Sequence, residues 1–119
     1  LNELRRANIA RAEELANETP TNTPFAKGEK GSSNWTILEF CGAMAGEAGE
    51  AANVAKKIRR GKENLTQELA EELADTLIYI DMCALKMGID LSEAVIKKFN
   101  EKSQKWGCNT RINSYPICD

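Results

Sequence analysis

The chain reads as an all-α protein, an antiparallel helical bundle of the kind completed by oligomerisation. Three observations lead there. No alternating strand pattern of useful length occurs in the 119 residues. Apolar residues instead recur at threes and fours over long segments, and glycines and capping residues with short connections punctuate those segments. Short turns between consecutive helices make them antiparallel neighbours. The length fits a single domain. It divides into an N-terminal helix and long loop (1–33), a helical core (34–106) and a tail (107–119).

The first helix is expected from Leu1 to about Asn17, with Leu4, Ile9, Ala12, Leu15 and Ala16 among charges. Residues 18–33 hold Pro20, Pro24, Gly28 and Gly31 among Ser, Thr and Asn, the composition of a long connection. A second helix is predicted from Asn34, a good N-cap, to Arg60, its apolar stripe carried by Ile37, Leu38, Cys41, Met44, Ala48, Ala52, Ala55 and Ile58. It closes on Lys56, Lys57, Arg59 and Arg60, cations at the negative end of the helix dipole, followed by Gly61. Asn64, with Gln67 as capping-box partner, is expected to open the third helix, which runs to about Met87. Leu69, Leu73, Leu77, Ile80 and Ala84 form one stripe of that helix, and Ile78, Tyr79, Met82 and Leu85 form another. A helix apolar nearly all round needs burial nearly all round, which a chain this short does not supply; hence the expectation of a homodimer or a dimer of dimers. Gly88 ends the third helix, and Asp90-Leu91-Ser92-Glu93 is a capping box for a fourth, to about Trp106 and Gly107.

Sixteen Lys and Arg against eighteen Asp and Glu give a net charge of −2, no electrostatic footprint for a nucleic-acid duplex. No apolar run approaches the ~20 residues of a membrane span, and Leu1-Asn2-Glu3-Leu4-Arg5 lacks the apolar stretch of a signal peptide, so a cytoplasmic location is expected. Four cysteines without CxxC spacing, and no histidine, argue against zinc. Cys41 and Cys83 read as reduced core residues, and Cys108 and Cys118 as tail thiols.

The chemistry lies in two acidic pairs, Glu47 with Glu50 and Glu72 with Asp75, each spaced i,i+3 so that both acids leave one helix face. Two such helices side by side bring four carboxylates together, a cluster that repels itself unless a cation sits within it. Oxygen-only ligation points to a hard ion, Mg²⁺ before Mn²⁺ or Ca²⁺. The plain alternative is a set of solvated surface charges. Against it stand Gly42, Gly46 and Gly49, each costing about 0.5–1 kcal/mol in a helix relative to Ala, a cost that points to close approach of a backbone or ligand. Glu72 and Asp75 also lie in the most apolar helix, where an unpaired charge is costly.

Gly46-Glu47-Ala48-Gly49-Glu50, followed by Glu71-Glu72-Leu73-Ala74-Asp75-Thr76-Leu77-Ile78-Tyr79, resembles the ExxE…ExxD signature of the MazG-like all-α nucleoside triphosphate pyrophosphohydrolases. Gly88-Ile89-Asp90-Leu91-Ser92-Glu93-Ala94-Val95 with Lys98-Phe99-Asn100 is similar to the next helix of that family, and the resemblance spans Trp35 to Trp106. It implies a Mg²⁺-dependent enzyme that cuts a nucleoside triphosphate, often a deoxynucleotide, into monophosphate and pyrophosphate, for cleaning or balancing the nucleotide pool. Glu47, Glu50, Glu72 and Asp75 would be both metal ligands and catalytic residues. Lys98 and Asn100 match phosphate or sugar contacts, although Lys102-Ser103 replaces the more usual Asn-Arg beyond them, and Trp35 resembles a position near the base. From spacing alone, Lys57 lies seven residues past Glu50 on nearly the same face, where a phosphate tail could run, and Glu39 is two turns before Glu47, a candidate base or water contact. Two other functions compete: phosphoribosyl-ATP pyrophosphohydrolase, and a non-catalytic helical dimer that binds nucleotides or a partner protein.

Overall fold

A computed structural model describes residues 1–15 and 35–113 of the chain. Four helices and no strands occur among these residues: α1 (Asn2–Leu15), α2 (Ile37–Arg59), α3 (Thr66–Lys86) and α4 (Leu91–Lys105). The loop expected over 18–33, Asn34, the residues after Leu15 and the last six residues lie outside the described residues.

The helix ends follow from local chemistry. Thr36 caps α2, its hydroxyl accepting from the Glu39 amide at 3.2 Å. Asp90 caps α4, its carboxylate accepting from the Glu93 amide at 3.1 Å. Gly61, Gly88 and Gly107 follow α2, α3 and α4 with φ of 92°, 67° and 70°, the left-handed turn that an L side chain rarely adopts. The capping box expected of Asn64 and Gln67 does not form. Leu65 occupies the N-cap of α3 with no side-chain hydrogen bond, and Asn64 takes the left-handed conformation at φ 63°. Asn tolerates that region, so it serves here as a turn residue.

α2 and α3 are joined by a short turn and form the main antiparallel packing, with α1 laid against α3. Phe40, Ala51 and Val54 of α2, Leu65 beside the turn, and Met82 and Ala84 of α3 are the buried apolar residues. The ring of Trp35 tilts onto Phe40 with centroids 5.4 Å apart.

α1 is held by polar contacts together with its apolar stripe, of which Leu4, Ala12 and Leu15 are half-buried. Ile9 of that stripe is 38% exposed, while Asn8 is buried. Asp81 of α3, only 1% exposed, receives Arg5 Nε at 3.0 Å on one carboxylate oxygen and Asn8 Nδ2 at 2.9 Å on the other. Arg5 also donates through Nη2 to the Ile89 carbonyl at 2.8 Å, and Ser92 Oγ lies 2.9 Å from Asn2 Oδ1, tying α1 to the start of α4. Successive turns of α1 thus meet α4, then the α3–α4 turn and Asp81. This order makes α1 antiparallel to α3.

α3 is not enclosed within one chain. Leu73 is 55% exposed and Leu77 43%, and α4, which packs little against the other helices, leaves Val95 and Phe99 open as well. Among the described residues no helix is long and apolar enough to cross a membrane.

Candidate active site

The acidic pairs meet across the α2–α3 interface, as an antiparallel hairpin of two long helices allows. One carboxylate oxygen from each of Glu47, Glu50 and Glu72 lies within 4.8 Å of the others, Glu47 and Glu72 half-buried and Glu50 exposed. Asp75 is one turn further along α3 and exposed, outside this trio. It still acts in the same neighbourhood, since the charges of Glu47 and Asp75 both bear on the Tyr79 phenol.

Glu72 is the focus of the strain. Its side chain as a whole is half-exposed, but Oε2 is shut away from solvent with no hydrogen-bond partner. The Glu72 carboxyl is raised from 4.5 to about 7, first by hydrogen bonding with Glu50, then by burial, then by the negative charges of Glu50 and Glu47. Glu72 therefore holds its proton to a higher pH than an ordinary glutamate. A native proteins' buried oxygen without a partner is uncommon, and three carboxylates converging on one point form the donor set of a hard divalent cation. The residues fit such an ion: it would supply the missing partner and take the place of the proton.

This has a measurable consequence for stability. The folded state binds the Glu72 proton more tightly than the unfolded chain does. The contribution of this group is thus fully present below pH 4.5 and lost as pH rises through about 7. In melts without metal, the Glu72 contribution should therefore fall from pH 6 to pH 8. The increase in Tm caused by Mg²⁺ should be larger at pH 8, where no proton competes. Equal Mg²⁺ increments at the two pH values would contradict this assignment.

Tyr79 was not singled out from the sequence. It stands four residues after Asp75 and seven after Glu72, a spacing that could have revealed it. Its phenol is raised by burial, then by Glu47 and Asp75, with Arg11 of α1 opposing them. Tyr79 thus keeps its proton close to the acids. Thr76 anchors the same stretch of α3, donating to the Glu72 carbonyl at 2.7 Å.

The other candidates are distributed as follows. Lys57 is exposed in the last turn of α2, about 10 Å along the helix from Glu50. Lys98 is exposed and pairs with Glu101 at 3.5 Å. Asn100 is engaged by the C-terminal segment: its Nδ2 donates to the Ile112 carbonyl and its Oδ1 accepts from the Ile112 amide, both at 2.8 Å. Glu39 contributes to the cap of α2, with its carboxylate 3.4 Å from the Thr36 hydroxyl. The close approach expected at the helical glycines is not made by this chain. A Cβ added at Gly42, Gly46 or Gly49 meets no atom within 4 Å among the described residues, so that side of α2 is open.

An all-helical chain with a carboxylate cluster suited to a divalent cation, astride an antiparallel helix pair, belongs to a narrow class of proteins. The model of the MazG nucleotide pyrophosphohydrolase domain matches residues 38–106, which include both acidic pairs, Lys57, Lys98 and Asn100. The chain belongs to this family, and membership supports nucleotide pyrophosphohydrolase activity in general. Comparison with curated proteins and with solved structures returns no match. Trp35 and the whole of α1 lie outside the matched segment.

Proposed function

We propose that the protein hydrolyses a nucleoside triphosphate, with deoxynucleotides among its substrates, between the α and β phosphates. The products are the nucleoside monophosphate and pyrophosphate. The observation that carries this reading is the shut-in, unpartnered Glu72 oxygen inside the Glu47–Glu50–Glu72 trio. Mg²⁺, or Mn²⁺ in its place, would be held by these three acids with Asp75 alongside. When bound, it supplies charge neutralisation for phosphate oxygens and acidifies a bound water. The chain's own groups divide the remaining work. Glu47, Glu50, Glu72 and Asp75 fix the negative frame on which a triphosphate is otherwise repelled. Tyr79 keeps its proton and donates a hydrogen bond at the edge of that frame. Lys57 and Lys98 offer cations to the outer phosphates and Trp35 a ring face to the base, while Asn100 would turn its amide to phosphate or sugar on releasing Ile112.

Incubation with each standard ribo- and deoxyribonucleoside triphosphate and with phosphoribosyl-ATP, in Mg²⁺ or in EDTA, tests the substrate class. Metal-dependent turnover of plain nucleotides is expected. Turnover of phosphoribosyl-ATP alone would move the assignment to that sister activity, and none with any substrate would favour a binding module.

The active form is proposed to be a homodimer or a dimer of dimers. Leu73 and Leu77 on α3, with Val95 and Phe99 on α4, are the apolar surface left for a second copy. Sedimentation at micromolar concentration should give at least twice the monomer mass, and an ideal monomer would refute this assembly.

A further inference from the structure

After α4 the chain turns back on the helix it has just left. Gly107, at φ 70°, reverses its direction, its amide donating to the Gln104 carbonyl at 3.1 Å and the Cys108 amide to the Ser103 carbonyl at 2.8 Å. Arg111 ties the arc together, with Nη1 donating to the Cys108 and Thr110 carbonyls at 2.7 and 2.9 Å. Ile112 then reaches Asn100 and pairs with both ends of its side-chain amide, the Ile112 carbonyl accepting from Nδ2 and the Ile112 amide donating to Oδ1, each at 2.8 Å. A side-chain amide has two N–H donors and one oxygen. The backbone of one residue thus takes a donor and the acceptor of Asn100 at once. A phosphate or sugar oxygen that uses the same donor has to displace Ile112.

Two further observations separate this segment from the core. Residues 107–113 are all exposed, so surface hydrogen bonds hold the segment with no buried side chain behind them, the kind of attachment that opens most easily. The match to the family ends at residue 106, with Asn100 inside it and the whole segment outside. We propose that residues 107–113 are an autoinhibitory strap: when closed they hold the Asn100 amide on Ile112, and a nucleotide opens them to gain that contact. The strap rests on the reading of Asn100 as a phosphate or sugar contact. Its effect is on apparent affinity and not on the chemical step, because only molecules with the strap open offer the complete site.

Ile112→Pro in the full chain tests the strap, since proline has no N–H to give to Asn100. KM for the best nucleoside triphosphate with Mg²⁺ should fall about threefold to tenfold, the effect of one hydrogen bond, with kcat unchanged. Arg111→Ala, which unties the arc, should act in the same direction. Asn100→Ala should raise KM, and Ile112→Pro added to it should change nothing further, because the contact that the strap withholds is gone. Hydrogen exchange gives a readout without turnover. The Ile112 amide should be protected in the free protein and should lose protection when an α,β-methylene deoxynucleoside triphosphate is added with Mg²⁺. Free exchange of that amide without nucleotide, protection unchanged by the analogue, or an unaltered KM in Ile112→Pro would each overturn the strap. An unaltered KM in Asn100→Ala would overturn it differently, by removing the substrate contact beneath it. The pyrophosphohydrolase reading is judged separately, by turnover in the unsubstituted chain.

Discussion

Replacing Glu72 by Gln should reduce metal-dependent turnover by more than about a hundredfold, since changes in the outer shell of a metal site alone cost about 10–100-fold. The fold should survive. Glutamine is close in shape to glutamate, and the change removes a negative charge that Glu50 and Glu47 crowd. Tm without metal at pH 8 should therefore hold or rise while activity disappears, and the Mg²⁺-induced increment in Tm should be lost with it. That opposition separates a ligand from a residue needed only for folding, whose replacement lowers both. Glu50→Gln should follow the same pattern, because Glu50 is the neighbour that does most to raise the Glu72 carboxyl. Unchanged turnover in either variant would remove that residue from the site.

The largest stability effect is expected far from the acids, at the Arg5–Asp81–Asn8 clamp. Asp81 is 1% exposed, and both its oxygens are satisfied from α1. Arg5→Ala leaves that charge buried with only the Asn8 amide, and breaking a buried pair on one side costs about 3–5 kcal/mol. Arg5 is itself about one-fifth exposed, so the lower end applies, about 3 kcal/mol. For a domain this size that is a drop of about 10 °C in Tm. Removing both charges with an apolar pair, Arg5→Met with Asp81→Leu, should recover most of the loss, since the desolvation cost goes with them. The Mg²⁺ increment should persist in both variants, because the clamp and the carboxylate trio are separate. A loss below about 0.5 kcal/mol for Arg5→Ala, the size of an ordinary surface change, would show that α1 is not held by this contact.

What the sequence made legible was local. The Asp90 cap, the glycines at 61, 88 and 107, and the i,i+3 acid pairs each depend on neighbours within a turn, and one sequence contains that information. Spacing pointed to two acidic pairs meeting across adjacent helices, and the resemblance to a family added the activity they would serve. Long-range partnership was the part not legible. The Asp81 carboxylate receives a guanidinium 76 positions away. Its only trace in the sequence is an acid in the middle of the apolar run from Leu77 to Leu85. Asn64 looked like a cap because Asn is both a good N-cap and a good left-handed residue, and the turn geometry decides between the two. Glu72 and Asp75 are equivalent in the i,i+3 pattern. Yet the rotation of α3 against α2 puts Glu72 with the α2 acids and leaves Asp75 outside the trio. Which side of the apolar α3 stays open is set by where α2 and α1 pack against it, which no period in the sequence encodes.

The most direct measurement is a ³¹P NMR time course of the protein with Mg²⁺ and its best nucleoside triphosphate. Cleavage between the α and β phosphates gives a pyrophosphate resonance growing in step with a monophosphate resonance, and no signal changes in EDTA. Diphosphate growing with inorganic phosphate would contradict the account, because the terminal phosphate would then be the group removed.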